Sequence, residues 1–292
     1  MGTRGMRPMR LATAKTASSW SAAAIGRAAT LALHDELALA PKPGLVSFVD
    51  SGSHDDMDAH TFMRSLFALR RYFVRIAELG ADHAPFADLQ ECGLAAEARM
   101  LAATSGINTH RGAIFALGLL CAAVAAAQSD GGAISPASVR EALQRYWGDA
   151  LAKRCEQSSR LPGAVAARRY GLRSASEEAA LGLPVLFETA VPAWTRAVGQ
   201  GLGGTRLRVQ VFFAILAVLD DANLAHRGGI DGLHFARGRG QAFLAAGGAM
   251  HDTGLDEAWA IHRAFVARRL SPGGCADMLS CACFLHRIGL IG

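Results

Sequence analysis

Along this chain apolar residues recur at spacings of three and four, and polar residues gather where the apolar runs stop. Phe62, Leu66, Leu69, Phe73 and Ile76 are one such series, the period of a helix with one buried face. The pattern predicts a first helix over 19–40, closed by Pro41 and Pro43, because proline cannot continue a helix. A second helix is predicted from His54 to Leu79 and a third over 84–103. Ala113 to Ala127 is the most apolar run. It is shorter than the roughly 20 apolar residues a membrane span requires, so it reads as a buried core helix. Pro136 suits the first turn of the next helix, where its missing N–H costs nothing. Pro162, Gly163 and Gly171 predict an irregular stretch over 158–174. Helices are predicted again over 175–181, 185–200, 205–226, 235–246, 254–269 and 272–288. No run alternates as a strand does, and no repeat recurs at a fixed period. The expected fold is all-α: a single compact multi-helix domain over 18–292.

Composition supports that reading. Half the chain is hydrophobic (51%) and 19% is charged, which excludes a disordered chain. The net charge of +5 suits anionic ligands. Part of it comes from Arg4, Arg7, Arg10 and Lys15 in an acid-free beginning. Residues 1–17 are expected to be a disordered basic leader. The remainder is close to neutral, so neither nucleic acid nor a membrane is implied. Six cysteines without a CxxC pair indicate free thiols in a reducing cytoplasm rather than a zinc site.

Four polar clusters interrupt the helices. The first joins Lys42-Pro43-Gly44-Leu45 to Ser53-His54-Asp55-Asp56-Met57-Asp58. Asp55 and Asp58 share a helix face and suit Mg²⁺, which takes one or two carboxylates plus substrate phosphates. They equally suit helix capping by Ser53 or Asp55. The second is Gly106-Ile107-Asn108-Thr109-His110-Arg111-Gly112, placed before an apolar helix whose N-terminus favours anions. A capping Asn108 or Thr109 would explain it too. The third is Asp220-Asp221-Ala222-Asn223-Leu224-Ala225-His226-Arg227-Gly228-Gly229. Asp220, Asn223 and His226 recur every three residues; a helix C-terminus stopped by Gly228 is the plainer reading. The fourth is Ser271-Pro272-Gly273-Gly274-Cys275-Ala276-Asp277, either a phosphate-approaching turn or an ordinary turn before a helix. No P-loop, GxGxxG, GxSxG or HExxH pattern occurs.

In order and spacing, KPGLV, SGSHDDMD, GINTHRGAIFALGLL, HRGG and SPGGCADML resemble the triphosphoribosyl-dephospho-CoA synthase family from about residue 25 to 288. The resemblance implies transfer of the triphosphoribosyl unit of ATP to the 2′-hydroxyl of 3′-dephospho-CoA, with release of adenine. The product would pass to a separate transferase that loads the acyl carrier subunit of malonate decarboxylase or citrate lyase; the overall look of the chain leans to the former. On that basis His54, Asp55, Asp58, His110 and Asp220 are the catalytic candidates. Lys42, Gly44, Ser53, Asn108, Thr109, Arg111, Asn223, His226, Arg227, Gly273 and Gly274 are the substrate-binding candidates. Asp55, Asp58 and Asp221 are the Mg²⁺ candidates. Two other readings use the same residues: a Mg²⁺-dependent nucleotide hydrolase, and a non-catalytic module that docks an acyl carrier protein.

Overall fold

The computed structural model describes residues 20–157 and 159–292; the basic leader expected over 1–17 lies outside them. Among the described residues there are twelve α-helices, no strand, and one hydrophobic core to which every helix but the one over Pro162–Tyr170 contributes.

α1 (Ala22–Ala38) and α2 (Ala59–Ala81) pack as a pair, followed by α3 (Phe86–Ala103). α2 begins five residues later than the apolar pattern predicts. Asp58 is in extended conformation and accepts from the Thr61 N–H at 2.8 Å, so the helix starts behind it. α4 (Arg111–Ser129) is the apolar run. By length and composition it could cross a membrane, yet most of its surface is buried against α1, α2, α3, α5 and α12. Gly80 on α2 meets it with no space for a side chain: a Cβ there would lie 2.3 Å from the Ala122 carbonyl.

α5 (Pro136–Cys155) opens with Pro136 as expected, behind a Ser135/Ser138 capping box. The stretch predicted as irregular holds α6 (Pro162–Tyr170). Its Pro and Gly are the boundaries of the helix: Pro162 occupies the first turn and Gly171, at φ 63°, closes the end. α7 (Ala175–Ala180) follows, then a π-helical turn over Val185–Ala190 that leads into α8 (Val191–Gly199). Pro192 has no N–H to offer the preceding turn, and the wider turn accommodates that loss.

The helix predicted over 205–226 is two helices. α9 (Gly204–Leu216) ends early, and α10 (Ala222–Ala245) begins after Asp221 accepts the Asn223 and Leu224 N–H groups. Gly228 does not stop α10; the chain kinks at Gly229 (φ 65°) and continues. α11 (Gly254–Ala267) and α12 (Gly273–Arg287) complete the fold. α12 lies along α1 and α4, and Arg287 at its end clamps Asp35 of α1 through two hydrogen bonds of 2.5 and 2.7 Å. This arrangement brings the first turns of α4, α10 and α12 towards the 39–58 loop, where the four polar clusters meet.

Candidate active site at the junction of three helix starts

The first, third and fourth clusters join at His54. Ser53 Oγ donates to the Leu270 carbonyl at 2.6 Å, and Arg227 donates to the Ser53 and Arg269 carbonyls at 3.1 Å each. Arg227 Nη2 also donates to His54 Nδ1 at 3.1 Å, and His54 Nε2 lies 2.8 Å from Ser271 Oγ. A guanidinium has only protons to give. Nδ1 is therefore the acceptor, and Nε2–H donates to Ser271. Burial first, and Arg227 second, lower the His54 pKa, which agrees with this neutral tautomer. Gly44 is at φ 69°, and a Cβ there would lie 2.0 Å from the Leu270 carbonyl. Only glycine lets the 39–58 loop approach that backbone so closely.

Asp221 ties α10 to α12. Its Oδ1 accepts the Asn223 and Leu224 N–H groups at 2.9 and 3.3 Å, and Oδ2 accepts the Cys275 N–H at 2.9 Å. Burial raises its pKa and those N–H groups lower it, with burial the larger effect. Gly273 and Gly274 are the space in which this happens. A Cβ on the first would lie 2.7 Å from Asn223 Nδ2, and on the second 3.1 Å from Asp221 Oδ2.

The second cluster adds His110, which is 3% exposed. Ser65 Oγ lies 2.6 Å from His110 Nδ1, while Nε2 is buried with no hydrogen-bond partner among the described residues, as is Thr109 Oγ1. Burial, with the Lys42 charge nearby, lowers the His110 pKa to about 3. Asn108 accepts the Arg111 N–H at 3.1 Å. Asp277 of α12 reaches the same helix start: a Cβ on Gly112 would lie 1.9 Å from Asp277 Oδ2. Burial raises the Asp277 pKa well above the usual carboxylate range, Asp221 and Glu36 raise it further, and the Ala113 N–H opposes them.

Several candidates have other employment. Lys42, expected on phosphate, is 1% exposed and forms a buried ion pair with Glu36 of α1; a charge so placed holds the loop to the core. Asp220, expected to be catalytic, is bound by Arg237 Nη2 at 2.6 Å and by the Arg173 N–H at 3.0 Å. Arg111 is paired with Glu97 at 2.6 Å. His226 is exposed on α10. The three Mg²⁺ candidates do not converge. Asp55 is exposed and pairs with Arg269 at 2.9 Å, Asp58 caps α2, and Asp221 is a buried cap whose oxygens serve backbone N–H groups. Among the described residues no group of three or more His, Cys, Asp or Glu is placed to hold a metal.

Glu36, Ser65 and Asp277 are polar members of this junction that the sequence did not single out as functional. Glu36 was open to detection: an acid amid Leu33, Leu37 and Leu39 is costly to bury without a partner. Ser65 carries no local signal. Asp277 was visible as the acid after a Gly-rich turn but not as a neighbour of Gly112.

Comparison with known proteins bears on the chemistry. The profile of the ATP:dephospho-CoA triphosphoribosyl transferase family matches residues 22–291. A probable 2-(5''-triphosphoribosyl)-3'-dephosphocoenzyme-A synthase of Acinetobacter calcoaceticus is 34% identical over 260 residues, covering 89% of each chain. The 2-(5''-triphosphoribosyl)-3'-dephosphocoenzyme-A synthase of Pectobacterium atrosepticum is 36% identical over 266 residues, 87% of this chain and 86% of that one. No solved structure matches. The chain belongs to the ATP:dephospho-CoA triphosphoribosyl transferase family and is a triphosphoribosyl-dephospho-CoA synthase.

Proposed function

We propose that the synthase reaction at this junction is a displacement at C1′ of the ATP ribose. The 2′-hydroxyl of 3′-dephospho-CoA attacks, adenine leaves, and the product is 2′-(5″-triphosphoribosyl)-3′-dephospho-CoA. The observation that carries this reading is the meeting of four polar clusters where α4, α10 and α12 begin. Helix starts attract phosphate oxygens; the N-cap residues of α4 and α12 make no side-chain cap bond, which leaves the N–H groups of those first turns that Asn108, Asp277 and Asp221 do not take. Arg227, exposed at the rim, adds a cation.

The triphosphate calls for Mg²⁺, which would neutralise its charge and orient it. Of the candidates Asp58 is the one left to meet such an ion beside the substrate phosphates: it is exposed, and the Thr61 N–H and hydroxyl lower its pKa and keep it ionised, whereas Asp55 is paired with Arg269. A thiol inventory of free cysteines only supports work in the cytoplasm. We assign the product to a separate transferase serving the acyl carrier subunit of malonate decarboxylase, with citrate lyase the other destination; genes adjacent to this one would distinguish them. The test is a mass-resolved incubation with ATP, Mg²⁺ and 3′-dephospho-CoA, omitting each in turn. Free adenine with a triphosphoribosyl adduct only in the full mixture is the expected result. Adenine or phosphate from ATP alone would indicate a hydrolase instead.

A further inference from the structure

A displacement that expels adenine requires a proton for the leaving base, since neutral adenine departs readily only once a ring nitrogen is protonated. The histidines at the junction are poorly placed to supply it. His54 has both ring nitrogens engaged, and His110 is held neutral.

Asp277 is differently situated. Asp277 of α12 lies within reach of the charges of two other acids, Asp221 at the start of α10 and Glu36 of α1. Glu36 has Lys42, the ammonium of this region. Asp221 has three backbone N–H donors. Asp277 has the Ala113 N–H of α4, and no ion pair among the described residues. Like charges crowded into a poorly solvated place retain a proton, and the group with the least compensation keeps it. Of the three, Asp277 is also the one that is partly exposed; Glu36 and Asp221 are buried. Its carboxyl occupies the space that a side chain at position 112 would fill, so Gly112 leaves it at the start of α4.

We propose that Asp277 is the general acid that protonates the departing adenine. This inference rests on the displacement proposed above. As the 2′-oxygen bonds to C1′, the C1′–N9 pair goes to adenine, and the Asp277 O–H proton passes to a second ring nitrogen. Adenine leaves as a neutral tautomer. The proton lost by the attacking hydroxyl returns to Asp277 through solvent, so none is gained or lost overall. The acid at work is a protonated carboxyl, the form that burial and the neighbouring acids favour for Asp277.

The test compares Asp277→Asn, which can still accept from the Ala113 N–H, with wild type on two donors. One is ATP. The other is a ribosyl triphosphate bearing a cationic nicotinamide at C1′, which leaves neutral without a proton. On ATP the variant should lose about 100-fold or more in kcat, with KM little changed and the alkaline limb of the pH profile gone. On the nicotinamide donor it should keep turnover within a few-fold of wild type. Gly112→Ala, which retains the acid but displaces it, should show the same contrast and decides the matter if the first variant does not fold. If wild type rejects the nicotinamide donor, the pH profile decides. Wild-type turnover of ATP by Asp277→Asn, or equal losses on both donors, would overturn the assignment. Absence of any adduct from wild type with ATP would overturn the displacement itself.

Discussion

His110 makes folding stability sensitive to acid in a calculable way. An unfolded chain takes a proton on this imidazole near 6.5, whereas the folded protein resists until about 3. A group whose folded pKa is lowered contributes stability above its unfolded pKa and loses it as pH falls through the window between the two values. At about pH 4.5 the unfolded chain carries roughly 100 protonated histidines for each neutral one, so the penalty is about 3 kcal/mol. It grows towards about 5 kcal/mol at the bottom of the window. The perturbation is His110→Gln, whose amide offers Ser65 a partner but does not titrate. Urea denaturation of both proteins at about pH 7.5 and about pH 4.5 isolates the effect, because the other titrating groups are common to both. Wild type should lose about 3 kcal/mol more than the variant between those conditions. Equal losses would mean that His110 takes its proton in the folded state, and the argument from burial would fail.

Other outcomes follow from the same junction. Lys42→Met leaves Glu36 buried without its cation and should cost about 3–5 kcal/mol at neutral pH by denaturant titration, most of it recovered by a second Glu36→Gln change. Asp221→Ala removes the cap of α10 and the acceptor of the Cys275 N–H; a loss of about 1–3 kcal/mol is expected. Asp221→Asn should instead become increasingly stable relative to wild type as pH rises above the usual carboxylate range, because the raised pKa of Asp221 marks its ionised form as disfavoured in the fold. Asp58→Asn retains an oxygen for Thr61 and loses the charge. It should therefore keep its helix content by circular dichroism while product formation collapses at limiting Mg²⁺; full activity would remove Asp58 from the metal site.

Much of this protein is legible along the chain. Helices whose apolar spacing is regular, such as α2, α4 and α12, and the proline that opens α5, follow from local rules of periodicity and capping. The polar interruptions at Lys42, His110, Asp221 and Gly273 are equally visible, and their order and spacing carry the family resemblance. What each polar residue does was decided by tertiary structure. Lys42 looked like a phosphate ligand until Glu36, six residues earlier and one turn from Leu33, proved to be its buried partner. Asp221 looked like a Mg²⁺ ligand late in one long helix, but it begins a new helix and holds the start of another 54 residues away. Asp277 gained its significance from Gly112, a contact that exists only because α12 lies against α4. Periodicity reports which side of a helix is buried. It carries no information on which helix will lie opposite, and burial, pairing and protonation all depend on that neighbour.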